Sequence, residues 1–260
     1  YDWEFDEAEA VENNSKAFCE FVGAHNIMEL RAIPGKKLLY QYGKFVAQGY
    51  MDFRCICEDG YSLFKNPGRA IAAGEEHISS LIIGCTNEES KLMPYQNNIT
   101  RENYCAKIAE LPKVFAPMAA IKVQDDDEAV RIFNQWFAWY DNNVNYSICS
   151  HMARHGKNSY CYSFQRQIPG EDEPGVFHTA DIPYAFGNLS KCWRPYTKED
   201  YELERVMSGF WENYIKTGNP NREGLPVWEV FSDVNPRAFI LDVKTEMKNI
   251  LPKPFDGLYK

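Results

Sequence analysis

One histidine and one glutamate in this chain have the residue types and the surroundings of a catalytic base and its partner acid. His178 lies in the segment Gly175-Val-Phe-His-Thr-Ala-Asp-Ile-Pro-Tyr-Ala-Phe-Gly-Asn-Leu189, between a strand-like run and a short aromatic run typical of a helix. Glu89 follows Leu81-Ile-Ile-Gly-Cys85, which is typical of a buried strand. A histidine that takes a proton from a hydroxyl nucleophile needs a carboxylate to hold its tautomer and to stabilise the imidazolium. The two residues therefore predict the base and the acid of a hydrolytic site.

The strands that precede these two residues predict that they meet. The run Ser80–Cys85 shows no polar alternation, which is typical of a strand buried on both faces of a parallel sheet. The run Ser159–Arg166 is rich in strand formers and leads through a loop to His178. Catalytic residues of α/β folds lie on loops at the C-terminal ends of strands. We therefore expect Glu89 and His178 to meet at one edge of the sheet.

The rest of the chain is dominated by apolar residues at helical spacing. Thr197 and Asp200 predict a variant capping box at the start of a long helix that ends at Gly218. Helices interspersed with a few well-separated strands predict an α/β fold, with few sheet strands covered by many helices. The other predicted elements are helices at Glu7–Phe21, Ile33–Tyr42, Gly68–Gly74, Glu128–Tyr140 and Tyr146–His155, an interrupted helical stretch at Thr100–Ile121 and a last strand at Arg237–Val243.

Composition limits the kinds of partner. The chain has 260 residues, of which 45% are hydrophobic, so it can build a core. Its net charge of −9, with no basic stripe, argues against nucleic acid and favours small molecules or proteins as partners. The longest apolar runs, 79–85 and 116–121, are far shorter than the about 20 residues of a membrane-spanning helix. The first residues carry no basic or hydrophobic leader, and we interpret them as a cut end.

The cysteines and the sequons favour different compartments. The eight cysteines show no repeated spacing and no Cys-x-x-Cys, which favours a reduced interior and a cytoplasmic location. Four Asn-x-Ser/Thr sequons keep a secreted origin open, and they begin at Asn13, Asn98, Asn145 and Asn188.

No cofactor and no metal ion are predicted. His151 and His155 have the i, i+4 spacing of metal ligands, but no glutamate follows the first histidine, so a plain surface pair is favoured. The acidic run Asp125–Glu128 is better explained as the cap and first turn of a helix, where negative charge complements the helix dipole, than as a metal site.

Together these segments resemble the type B carboxylesterase family, which includes cholinesterases, para-nitrobenzyl esterases and non-catalytic adhesion relatives. Residues 175–189 resemble the family's histidine motif, and residues 84–90 resemble its acid motif, which places the catalytic carboxylate on Glu89 rather than Glu88. Residues 197–228 resemble its C-terminal helix and the turn that follows. The resemblance runs from about Val11 to Val243. It implies that residues 1–260 are the C-terminal part of a single α/β-hydrolase domain.

The chain departs from the family pattern in three places. Thr179 replaces the glycine usual after the histidine, and Ser90 replaces the glycine usual after the acid. The third departure is the absence of any Gly-x-Ser-x-Gly string, the strained turn that presents the nucleophile. We therefore expect this chain to lack the nucleophile, the oxyanion hole and the first strands of the sheet, all of which would lie in an N-terminal half.

The resemblance implies a carboxylic ester hydrolase acting on a small-molecule ester, with Glu89 orienting His178 and the serine supplied by the N-terminal half. This chain alone is expected to be inactive. The alternative is a non-catalytic cholinesterase-like binding or adhesion protein, against which the presence of both Glu89 and His178 argues. A half sheet would expose an unpaired strand edge and an apolar face. We therefore expect the chain to pair with the missing half or with another copy of itself.

Overall fold

The computed structural model describes residues 8–49, 57–75, 77–91, 99–111 and 113–249. Its internal contacts divide the chain into two compact units, residues 1–76 and 77–260, which are described one at a time. The assignment of all 260 residues to a single domain stays a prediction. Within the described ranges, no helix combines the length and the apolar character that crossing a bilayer requires.

The first unit is helical. Phe18 of the first helix and Phe45 of the third are both buried, with their ring centroids 5.1 Å apart. The second helix was not predicted from the sequence. It begins because the Asn26 side chain accepts hydrogen bonds from the backbone N–H groups of Met28 and Glu29. The helices among the described residues of this unit are α1 (Ala8–Val22), α2 (Ile27–Ala32), α3 (Gly35–Ala47) and α4 (Pro67–Ala73).

The second unit contains a four-stranded sheet in the order β1-β2-β3-β4. The first three strands are parallel, and β4 is antiparallel to β3. Thr86, the last residue of β1, pairs with Phe164, the last residue of β2, so both strands end at the same edge of the sheet. The sequence predicted the first three strands and missed β4. The strands are β1 (Ser80–Thr86), β2 (Asn158–Phe164), β3 (Ala238–Leu241) and β4 (Glu246–Lys248).

Both faces of the central strand β2 are covered, as a parallel sheet requires. Tyr160, Tyr162 and Phe164 belong to one apolar cluster together with Phe210 and Trp228. The alternate residue of the strand, Cys161, belongs to a second cluster with Tyr146 and Cys149. This alternation gives the sheet two packed faces, and its C-terminal edge is left to carry polar loops.

The helices of the second unit are α5 (Tyr104–Ala109), α6 (Asp126–Arg154), α7 (Ile182–Ala185) and α8 (Lys198–Thr217), with short 3₁₀ helices at Lys113–Ala120 and Leu189–Lys191. The capping box predicted for α8 is confirmed, and Gly218 ends that helix in the left-handed conformation with φ 74°. The acidic cap of α6 is also confirmed, because the Asp125 side chain accepts a hydrogen bond from the Glu128 N–H.

One helix differs from its prediction. The two helices predicted at Glu128–Tyr140 and Tyr146–His155 are a single helix of 29 residues, α6. The asparagine-rich stretch between them is helical and buried, and its side-chain amide groups find partners within the helix. Asn142 donates to the carbonyl of Ala138, and Asn143 donates to the carbonyl of Trp139, each at 2.7 Å. The prediction of a break was therefore wrong.

Candidate active site

The acid lies on a tight turn directly after β1. Oε1 of Glu89 accepts a hydrogen bond from the N–H of Thr86 at 2.6 Å, which folds the side chain back onto the strand end. Asn87 N–H donates to the carbonyl of Phe164, so the turn is also fixed to the end of β2. Ser90, one of the departures from the family pattern, is buried, and its hydroxyl donates to Asn134 of α6 at 3.1 Å. These hydrogen bonds fix the turn from which the Glu89 carboxylate extends.

The base lies on the loop between β2 and α7. Val176 and Ala180, on either side of His178, are buried with exposures of 0% and 3%, so the loop is anchored in the protein interior on both sides of the histidine. The His178 side chain itself is 57% exposed. Thr179, which replaces the family's glycine, has φ 72°, a left-handed backbone that favours glycine. The loop thus presents an accessible imidazole on an anchored backbone.

The structure brings the two predicted residues together across 89 positions of sequence. Nδ1 of His178 lies 2.5 Å from Oε2 of Glu89. Because a carboxylate accepts hydrogen bonds, a neutral His178 carries its proton on Nδ1, and this tautomer is assigned from the contact. Nε2 then keeps a lone pair that can take a proton from a nucleophile. This is the arrangement in which an acid orients a general base.

Two more carboxyl groups lie within electrostatic reach of the pair. Burial and the charge of Glu89 together raise the pKa of Asp141 to about 6, and His178 opposes the rise. Burial also raises the pKa of Asp181, which accepts a hydrogen bond from the Tyr162 hydroxyl at 2.8 Å. Two partly buried carboxyl groups therefore accompany the contact between Glu89 and His178.

Only part of these surroundings could be predicted from the sequence. Asp181 lies three residues after His178 inside the histidine motif, and this position is the sequence signal that could have revealed it as a neighbour of the pair. Asp141 carried none, because it lies in the middle of α6 and reaches the site through tertiary packing. Tyr162 was assigned only to a strand. In the structure its ring lies over Gly84 of β1, where an added Cβ would collide with it, and this places its hydroxyl at Asp181.

The metal alternative gains no support from the part of the chain that the structure describes. No three His, Cys, Asp or Glu side chains converge there in a way that could hold a metal ion. His151 and His155 lie in and just after the last turn of α6, where burial and the neighbouring Arg154 lower the pKa of His151.

Solved structures with a similar fold include esterases. A thermophilic PNB esterase matches with a TM-score of 0.74 and 20% identity, covering 96% of this chain and 54% of its own. The carboxylesterase of Geobacillus stearothermophilus matches with a TM-score of 0.70 and 18% identity over the same shares. At these identities the match shows the fold. The second unit and its sheet are thus part of an α/β-hydrolase fold, as predicted.

Sequence comparison shows the family. The model of the carboxylesterase family matches residues 8–255, and the chain belongs to that family. It is 25% identical to an acylcarnitine hydrolase of Mus musculus over 72% of this chain and 37% of the relative. It is 24% identical to the para-nitrobenzyl esterase of Bacillus subtilis over 74% of this chain and 40% of the relative. A pyrethroid hydrolase of Rattus norvegicus is 35% identical over 65% of this chain and 34% of its own length. The chain spans well under half the length of these relatives.

Proposed function

We propose that this chain supplies the acid and the base of a Ser-His-Glu triad in a carboxylic ester hydrolase. The observation that carries the proposal is the contact of 2.5 Å between His178 Nδ1 and Glu89 Oε2 at the carboxyl edge of β1 and β2. Family membership supports it, because the relatives named above are hydrolases of esters and related acyl compounds. The substrate class is a small-molecule carboxylic ester.

In the proposed reaction His178 acts through Nε2. It takes the proton of a serine hydroxyl while the serine attacks the ester carbonyl, and it gives that proton to the leaving alcohol. Water then attacks the acyl-enzyme with the same base, and the acid product leaves. Glu89 holds the ring and balances the imidazolium charge in each transition state. The serine and the oxyanion donors belong to the proposed N-terminal half, since this sequence has no Gly-x-Ser-x-Gly.

The sheet supports a partner of that kind. Among the described residues, β1 pairs with β2 along one side and with no strand along the other. Its seven residues are extended and only partly buried over most of their length. Such an edge offers backbone groups to a further strand. In the proposed enzyme the N-terminal half would occupy this edge and bring its serine to the turn that carries Glu89.

The experiment compares the 260-residue chain with the same chain extended by the residues encoded before Tyr1, using para-nitrophenyl acetate. We expect hydrolysis in the extended protein and none in the chain alone. His178→Ala should lower kcat/KM of the extended protein by about 10⁴-fold or more, and Glu89→Gln by about 10³–10⁴-fold. His155→Ala is the matched control, because that histidine is exposed at the far end of α6.

Two results would contradict the proposal. Turnover by the 260-residue chain alone, lost in His178→Ala, would place the nucleophile within this sequence. An extended protein that folds, binds esters and shows the same slow hydrolysis with and without His178 would instead indicate the non-catalytic binding or adhesion protein.

A further inference from the structure

We propose that Glu88, the residue before the acid, is a positioning residue that ties the base loop to the acid turn and so sets the Glu89–His178 contact. The proposal rests on the function given above, and it adds a role for a residue outside the triad. The Glu88 carboxylate bonds the backbone two residues before His178.

The connection consists of two hydrogen bonds that run in opposite directions. The N–H of Glu88 donates to the carbonyl of Val176 at 3.1 Å. The N–H of Val176 donates back to Oε2 of Glu88 at 2.7 Å. A donor and an acceptor of one residue are therefore both bonded to the same partner residue. A pair of bonds of this kind fixes the distance and also the relative orientation of the two backbones.

The loop is shaped to receive this carboxylate. Gly175 has φ 68°, and a Cβ added there would collide with Oε2 of Glu88 and with Nζ of Lys91. The carboxylate is thus seated directly against the glycine backbone. Its other oxygen, Oε1, lies 3.6 Å from Nζ of Lys91, so a cation on the acid turn faces the same group. A backbone N–H and an ammonium group together hold the charge of Glu88 in place.

The connection lies immediately beside the catalytic contact. Glu88 is adjacent to Glu89 in sequence, and Val176 is two residues from His178. The imidazole is 57% exposed, so its own surroundings fix it weakly, whereas Val176 is fully buried. The position of the ring relative to its acid therefore depends on where the two backbones are joined. A misplacement of 1 Å in a catalytic group can lower the rate by about 10²-fold.

The test measures the Nδ1 proton of His178 by NMR in the extended protein that is used to test the proposed function. A proton shared between imidazole and carboxylate resonates far downfield, and its loss in both His178→Ala and Glu89→Ala assigns it. We expect Glu88→Ala to accelerate its exchange with water by about tenfold or more, as the loss of one charge-assisted hydrogen bond implies. Glu88→Gln keeps an oxygen for the Val176 N–H and should restore slow exchange.

Glu223→Ala is the matched control, because it removes an exposed glutamate from a turn after α8 and leaves Glu88 and its partners unchanged. The thermal midpoint of each variant is recorded, so that an effect on the proton is separated from a loss of fold. If Glu88→Ala does not fold, Glu88→Asp, which keeps the charge and withdraws it by one methylene, is expected to accelerate exchange in the same way.

The outcomes separate the two proposals. A folded Glu88→Ala or Glu88→Asp variant whose His178 proton exchanges as slowly as in the wild type overturns the role of Glu88 and leaves the triad proposal standing. A wild-type chain with no resonance that depends on both His178 and Glu89 contradicts the acid–base contact, and both proposals then fail. Fast exchange in Glu88→Gln as well as in Glu88→Ala also overturns the positioning role, because the retained oxygen should have been sufficient.

Discussion

Two carboxylates of the second unit have opposite surroundings. Asp200, in the first turn of α8, is fully buried, and its oxygens accept hydrogen bonds from Arg166 at 2.7 and 3.1 Å, from the Tyr184 hydroxyl at 2.7 Å and from Thr197 at 2.7 and 2.9 Å. We call these four residues the Asp200 network. Glu89 instead bonds one backbone N–H and one imidazole that is largely exposed.

The difference distinguishes a carboxylate that stabilises the fold, Asp200, from one that is proposed to take part in a reaction, Glu89. Burial alone would raise the pKa of Asp200, but the hydrogen bonds from Arg166, Thr197 and Tyr184 outweigh it and lower that pKa to about 2. Its charge is thus fixed at any ordinary pH, and its partner is a guanidinium that does not titrate. Glu89 is instead paired with an imidazole, a group that can transfer protons. In the proposed triad, the carboxylate that takes part in the reaction is the one whose partner is open to solvent.

The largest effect is expected from breaking the Asp200 network. Asp200→Ala leaves the guanidinium of Arg166, which is 18% exposed, without its carboxylate. Removing one partner of a buried pair costs about 3–5 kcal/mol, so the free energy of unfolding in urea should fall by that amount. Glu89→Gln, which keeps an oxygen for the Thr86 N–H, should change it by less than about 1 kcal/mol. Equal losses of unfolding free energy in the two variants would contradict the distinction between the two carboxylates.

The next effect is a pH dependence at the site. The folded protein holds a proton on Asp141 up to about pH 6, whereas the ordinary pKa is 3.8, so stability is lost as the pH rises through this window. Asp141→Asn removes that loss, and its free energy of unfolding should exceed that of the wild type by about 1–2 kcal/mol above about pH 7. Below about pH 4 this advantage should vanish.

Urea unfolding at several pH values measures this slope. Asp127→Asn, on the exposed first turn of the same helix, should leave the slope of the unfolding free energy against pH unchanged, although the free energy itself can shift. An Asp141→Asn variant with the wild-type slope would show that the titrating charge lies elsewhere.

A smaller stabilising effect is expected at Thr179, the residue after the predicted base. Thr179→Gly should relieve a left-handed φ of 72° that costs a β-branched residue about 1–2 kcal/mol. Part of that gain is offset by the greater freedom of glycine in the unfolded chain, which leaves a stabilisation of about 1 kcal/mol or less. Thr245→Gly, where φ is not positive, should destabilise. A Thr179→Gly variant less stable than the wild type would contradict the strain argument.

The smallest effect is expected at the surface of α8. Glu202 pairs with Arg205, and both side chains are more than half exposed. Glu202→Ala should change the thermal midpoint little, since exposed pairs contribute about 0.2–1 kcal/mol. A loss comparable to that of Asp200→Ala would show that burial is not what distinguishes the Glu202–Arg205 pair from the Asp200–Arg166 pair.

Local signals explain what the sequence predicted well. The acid–base pair follows from two loops at the ends of two apolar runs, and the α8 cap follows from Thr197 and Asp200. What was missed depends on tertiary or side-chain contacts. The stretch of α6 around Asn142 and Asn143 is buried by tertiary packing, and β4 is a strand of three residues that is stabilised by pairing with β3. The shifted pKa of Asp141 depends on the packed site. Partners and compartment stay predictions.

The parallel pairing of β1 with β2 also determines when the corner of the molecule that holds Glu89 and His178 can form. The paired residues, from Ser80 with Asn158 to Thr86 with Phe164, are more than seventy positions apart. Long loops must close before such pairs gain any contact, which makes folding slow. At about 5–20 residues per second, synthesis leaves β1 outside the ribosome for about 4–16 s before β2 exists. During that interval Glu89 has no His178 to contact, and the apolar strand β1 is accessible to any chaperone or neighbouring chain.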